Sequence, residues 1–160
     1  MTAKFALVAS AFLALASVAN AADGASTDMD SVSLWQADRS IIFAAEDVAL
    51  DDLRWIARPL IVFADTEADP SFKEQIEFLT DRIDELAERD VMIIVDTSRD
   101  DPSDIRRKLR PRGFQITLIG KDGGVKLRKP FPWDVRELSR AIDKMPMRQQ
   151  EIRDRRAEEG

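Results

Sequence analysis

The chain has 160 residues, with 24 Lys plus Arg against 30 Asp plus Glu for a net charge of −6, and contains no cysteine, no histidine and no tyrosine. The missing cysteine excludes disulfides, thiolate metal sites, thiol–disulfide exchange and thiol peroxidase activity. The missing histidine removes the imidazole base and the ordinary transition-metal site, so acid–base work falls to carboxylates and amines of shifted pKa, or to water on a carboxylate-held ion. No organic cofactor is expected.

Residues 1–21 read as a signal peptide: Lys4 is the positive start, Phe5 to Val18 is apolar apart from Ser10 and Ser17, and Ala19-Asn20-Ala21 is an A-x-A cleavage site. No later stretch approaches the roughly 20 apolar residues of a membrane span. The mature chain is therefore expected in the periplasm or outside the cell. Residues 22–49 read as a flexible leader and N-terminal extension, with Trp35 and the later Trp55 both expected to pack inward.

Leu60 to Ala64, opened by Arg58-Pro59, is a continuous apolar run that suits a buried parallel strand. Asp69-Pro70 then caps a helix whose apolar residues Phe72, Ile76, Leu79, Ile83 and Leu86 share one face. Val91 to Val95 is the second buried strand, ending in Asp96. Asp101-Pro102 begins a short helix with Ile105 and Leu109. Phe114 to Ile119 is a third strand, and Lys121-Asp122-Gly123-Gly124 turns it into a hairpin with Val125 to Lys129. Val135, Leu138, Ile142 and Met145 mark the last helix, limited by Pro146, and 147–160 reads as a charged tail or a frayed helix.

The order β-α-β-α-β-β-α over residues 50–146 predicts an α/β three-layer sandwich of the thioredoxin type. Its crossovers imply parallel strands, and the C-terminal hairpin makes the sheet mixed. Leu109-Arg-Pro-Arg-Gly113-Phe114-Gln115 and Lys121-Asp-Gly-Gly-Val125 resemble the second half of a thioredoxin, with Gln115 in the place of its cis-proline and Asp65-Thr-Glu-Ala-Asp69 where its dithiol helix begins. The peptide bond before Gln115 is expected to be trans. Together with Trp55-Ile-Ala-Arg58-Pro59 and Val91 to Thr97, these stretches resemble the family called domain of unknown function 4174. That resemblance implies a thioredoxin- and peroxiredoxin-like fold in an extracytoplasmic setting, and it carries over no catalytic residue.

Charge divides the chain. Residues 22–105 hold 22 acidic and 7 basic side chains, and residues 106–160 hold 8 acidic and 16 basic. Two surfaces follow as candidates.

Asp65, Glu67, Asp69 and Asp96 follow the carboxyl ends of the first two predicted strands, where α/β sheets bind ligands, and oxygen ligands alone suit Mg²⁺ or Ca²⁺. They define the alternative of a divalent-metal-dependent hydrolase. The plainer reading makes them a helix cap and solvated loop residues, since Asp65-Thr66-Glu67 lacks the D-x-D spacing of phosphoryl-transfer sites.

Arg106, Arg107, Arg110, Arg112, Lys126, Arg128 and Lys129, with Trp133 beside them, form the second candidate: a face for an acidic protein or another polyanion. Its plainer reading is a solvated face neutralised by the acidic half, with Trp133 closing the core. Nucleic acid is a poor partner, because the chain is exported and no aromatic alternates with the cations. The favoured expectation is a non-redox binding module, a monomer or weak oligomer.

Overall fold

The computed structural model describes residues 30–160, so the signal-peptide reading and residues 22–29 of the leader lie outside the described residues. Strands β2 (Arg58–Phe63) and β3 (Val91–Asp96) run parallel at the centre of the sheet, with Leu60 opposite Ile93. Their alternate residues serve opposite faces, which is why both read as unbroken apolar runs. Ile61, Phe63, Met92 and Ile94 enter one core with Trp35, Phe43, Ile105 and Leu109. Leu60, Val62 and Ile93 enter the other with Leu79, Leu86, Leu138 and Ile142.

The five strands lie in the order β1-β3-β2-β4-β5. β1 (Ile42–Ala44), a short strand inside the expected extension, pairs parallel to β3. β4 (Gln115–Ile119) pairs antiparallel to β2, and β5 (Val125–Lys129) antiparallel to β4. The arrangement is thioredoxin-like, and every peptide bond among the described residues is trans, including the one before Gln115. The expected orientation of the third strand is corrected by this topology. The connection after β3 holds only α4 (Asp104–Leu109), whose six residues rise about 9 Å, whereas a strand of this length spans about 20 Å. Such a helix does not return the chain to the far edge, and β4 enters beside the end of β2, with Gln115 opposite Phe63.

Helices fill both outer layers. α1 (Ser31–Ala37) is capped by Asp30, whose Oδ1 accepts from the Ser33 amide at 2.8 Å, so the leader is already helical at Ser31. Two single 3-10 turns, Ala45–Asp47 and Leu50–Leu53, follow β1. The helix expected over 70–86 is broken at Arg82 (φ −134°, ψ 37°) into α2 (Pro70–Asp81) and α3 (Ile83–Ala87), yet Leu79 and Leu86 still reach the same core. α5 (Val135–Asp143) starts at Asp134, whose carboxylate accepts from the Arg136 amide. Pro146, expected to limit that helix, opens α6 (Pro146–Glu158), which orders the charged tail. Among the described residues no helix is long and apolar enough to cross a membrane.

Trp35 is buried as expected, but Trp55 is 67% exposed at a left-handed φ of 65°. Its amide donates to the Lys121 carbonyl at 2.8 Å, and the Ala57 amide donates to Leu53, a tight turn that points the indole outward.

Candidate functional site

At the carboxyl end of β2 and β3 the crevice is filled from within. Asp96, 3% exposed, accepts from Arg106 Nε at 2.8 Å through Oδ1 and from Ser103 Oγ at 2.6 Å through Oδ2. Arg106 Nη2 donates to the Ala64 and Asp96 carbonyls at 2.7 and 2.8 Å, and the guanidinium lies 5.4 Å from the Phe63 ring centroid. A guanidinium satisfied on three acceptors and an aromatic face is an internal brace. Arg106, expected on the basic face, is buried at 8% exposure, and Asp96, expected among the metal candidates, is its counter-ion.

The other three carboxylates separate. Asp65 pairs with Arg99 at 3.1 Å, and Glu67 is exposed. Asp69 Oδ1 accepts from the Ser71 and Phe72 amides at 2.8 and 3.3 Å, with Pro70 at the first helical position. Among the described residues no three His, Cys, Asp or Glu side chains come together as a metal-holding group. Asp69 therefore acts as an N-cap. Asp69→Ala is expected to cost about 1 kcal/mol in urea unfolding, and Asp69→Ser to recover most of it.

The remaining cations lie toward the hairpin edge of the sheet. The hairpin turn is set by Gly123 at φ 81°, where a side chain would be strained, and by Asp122 Oδ1 accepting from the Gly124 amide at 3.0 Å. A register shift between Leu118 and Ile119 marks a bulge in the β4–β5 pair. Beyond it, Arg128 reaches α4, its Nη1 donating to the Leu109 carbonyl at 2.9 Å. Arg110 ends α4 at φ 49°, its amide donating to the Arg106 carbonyl at 2.8 Å, and its side chain is exposed, as is that of Arg112. Lys129 Nζ lies 4.6 Å from the Trp133 ring centroid and 6.0 Å from that of Phe131, which is 52% exposed.

Several expected members of this face are already neutralised. Arg107 pairs with Asp104 at 2.6 Å and Lys126 with Asp122 at 2.7 Å. Lys126 in turn holds the Asp122 carboxyl below its ordinary value, helped by the Gly124 amide. Arg110, Arg112, Arg128 and Lys129 have no ion-pairing carboxylate among the described residues. Two of them, Arg128 and Lys129, lie on the edge strand β5, where Lys129 meets Trp133 and Phe131, and Arg128 meets the end of α4 from which Arg110 and Arg112 follow.

A second ionic system lies at the other end of β2 and has no counterpart in the sequence reading. Arg58, fully buried, donates to Glu151 of α6 through Nη2 at 2.9 Å and Nη1 at 3.3 Å, and to the Arg89 carbonyl at 2.8 Å. Lys121 Nζ bridges Glu151 and Asp90 at 2.9 and 2.8 Å, and Arg39 also binds Asp90. Burial would raise the Glu151 carboxyl, but Arg58 and Lys121 override it and hold the pKa at about 2 against an ordinary 4.5. Each of these charges has a partner inside the fold, so the cluster fastens α6 and offers little to a ligand.

Among known proteins, a family profile described as "Domain of unknown function (DUF4174)" matches residues 49–151. No curated protein matches. Three solved structures with a similar chain trace are the following. Prx1a of Plasmodium yoelii, in a form modified at the N-terminus that makes an artifactual octamer, is 21% identical over 64% of this chain and 81% of its own, with a TM-score of 0.49. Thioredoxin peroxidase I of the same organism is 20% identical over 64% and 80%, with a TM-score of 0.47. The yeast mitochondrial 1-Cys peroxiredoxin is 19% identical over 65% and 95%, with a TM-score of 0.47.

Proposed function

The chain belongs to the family described as Domain of unknown function (DUF4174), and from that premise we propose that it is an exported, non-redox binding module whose β4–β5 hairpin side receives an anionic partner. One observation carries the reading. Arg128 and Lys129 on the edge strand, and Arg110 and Arg112 after the Leu109 carbonyl that Arg128 meets, have no ion-pairing carboxylate among the described residues, while Arg106, Arg107 and Lys126 are internally paired. Unneutralised charge gathered from two segments of chain attracts anions over the range of a Debye length, roughly 8 Å at physiological salt. Trp133 and Phe131 add the aromatic area that interface anchors use.

The reading makes a salt-dependent prediction. Binding of the full mature chain to a heparin column is expected, with elution at moderate salt. The Arg110→Glu, Arg112→Glu, Arg128→Glu triple variant is expected to elute at markedly lower salt while remaining folded under the column conditions. Elution of this variant at the parent's salt concentration would remove the β5 edge as the anion-binding surface.

A further inference from the structure

We infer that the partner is an acidic, extended peptide segment that adds to the sheet as a strand beside β5. The inference rests on the proposed function and specifies its occupant. β5 ends the sheet order, so its outer row of peptide N–H and C=O groups has no strand partner in the fold. Main-chain pairing at such an edge supplies affinity, and side-chain pockets supply selectivity.

The side chains at the edge define which segment fits. Arg128 faces the α4 side of the sheet, where it meets Leu109, and Lys129 faces the α5 side, where it meets Trp133. An incoming strand therefore meets a cation on each of its faces, so acidic residues at successive positions would each find a counter-charge. Val125 at the start of β5 and Phe131 just past its end are both exposed, and they offer apolar contact at the two ends of a segment spanning about 20 Å.

The same charges argue against a second copy of this chain as occupant. Two β5 edges laid together would bring Arg128 and Lys129 of each copy against those of the other, and like charges across a strand pair are destabilising. An acidic strand reverses the sign of that term, so the charges that prevent self-pairing become the ones that select the partner.

The test titrates the full mature chain with a synthetic peptide of alternating Glu and Val, long enough to span β5, followed by amide NMR shifts and hydrogen exchange. Two further peptides carry N-methyl groups on one or the other alternate set of amides. Strand addition predicts slowed exchange within Val125–Lys129 and a loss of roughly tenfold or more for one methylated set, with the other tolerated, because only one set faces β5. Arg128→Glu with Lys129→Glu is expected to weaken the unmodified peptide by a similar factor and to favour a Lys–Val peptide instead. Equal binding of all three acidic peptides would overturn strand addition while leaving an anion-binding surface. Binding of heparin without any peptide would do the same. Failure of both heparin and peptides to bind would overturn the proposed function as well.

Discussion

Glu151→Ala is expected to lower the stability of the fold by about 3–5 kcal/mol, measured by urea unfolding at neutral pH. The cause is the residue left behind. Arg58 is 1% exposed, and without Glu151 its guanidinium keeps one carbonyl acceptor, that of Arg89, and no carboxylate. Lys121 loses one of its two counter-ions in the same step. Removing both charged partners is a different experiment: Arg58→Met with Glu151→Leu is expected to cost less than Glu151→Ala alone, because an apolar pair of similar volume carries no desolvation penalty. Acid provides an independent check. The folded Glu151 carboxyl titrates at about 2, below its ordinary 4.5, so its contribution is complete above about 4.5 and is lost as pH falls towards 2. Between pH 5 and about 3 the parent is expected to lose stability more steeply than Glu151→Gln, which has no proton to take up there. Parallel slopes for the two proteins would show that the ion pair does not hold α6.

Why α6 reads from sequence only as a charged tail or frayed helix follows from that chemistry. It is fastened to β2 by Arg58 and Glu151 and to α5 by Arg148 and Asp143, and a helix attached by ion pairs has no broad apolar stripe to betray it. Helices and strands that bury apolar surface were legible. Leu60 to Phe63 and Val91 to Ile94 read as two-sided strands because both faces are covered, and Asp69-Pro70 read as a helix start because capping is local. β1 was hidden by its length of three residues, since pairing with β3 rather than any periodicity defines it. The orientation of β4 depends on how far α4 carries the chain, a property of distance in space. For the site, the sequence located the basic stretch but not its sorting. Arg106 and Arg110 are the same residue type on neighbouring turns, and what separates them is whether Asp96 lies within reach. The aromatic at 55 misled for a related reason: the left-handed turn that exposes it is held by a hydrogen bond to Lys121, far along the chain.

The Asp96–Arg106 brace allows a test in which stability and surface chemistry come apart. Asp96→Ala is expected to cost about 3–5 kcal/mol, because Arg106 would remain inside the fold with the Ala64 and Asp96 carbonyls as its acceptors and no counter-charge. Arg106→Met is expected to cost less. Asp96 keeps the Ser103 hydroxyl at 2.6 Å and the Ser98 amide at 3.2 Å, both of which stabilise a carboxylate, and Met fills much of the volume beside Phe63. The double variant is expected to fall well short of the sum of the two, since residues in direct contact couple. Additive losses would mean that the pair is not the brace its geometry describes. Because Arg106 lies beneath the surface, Arg106→Met is also expected to leave heparin elution unchanged under conditions where the protein is folded, whereas Arg128→Glu shifts it. Anion binding and the buried pair thus draw on cations of the same short stretch of chain, separated by which of them the fold has already used.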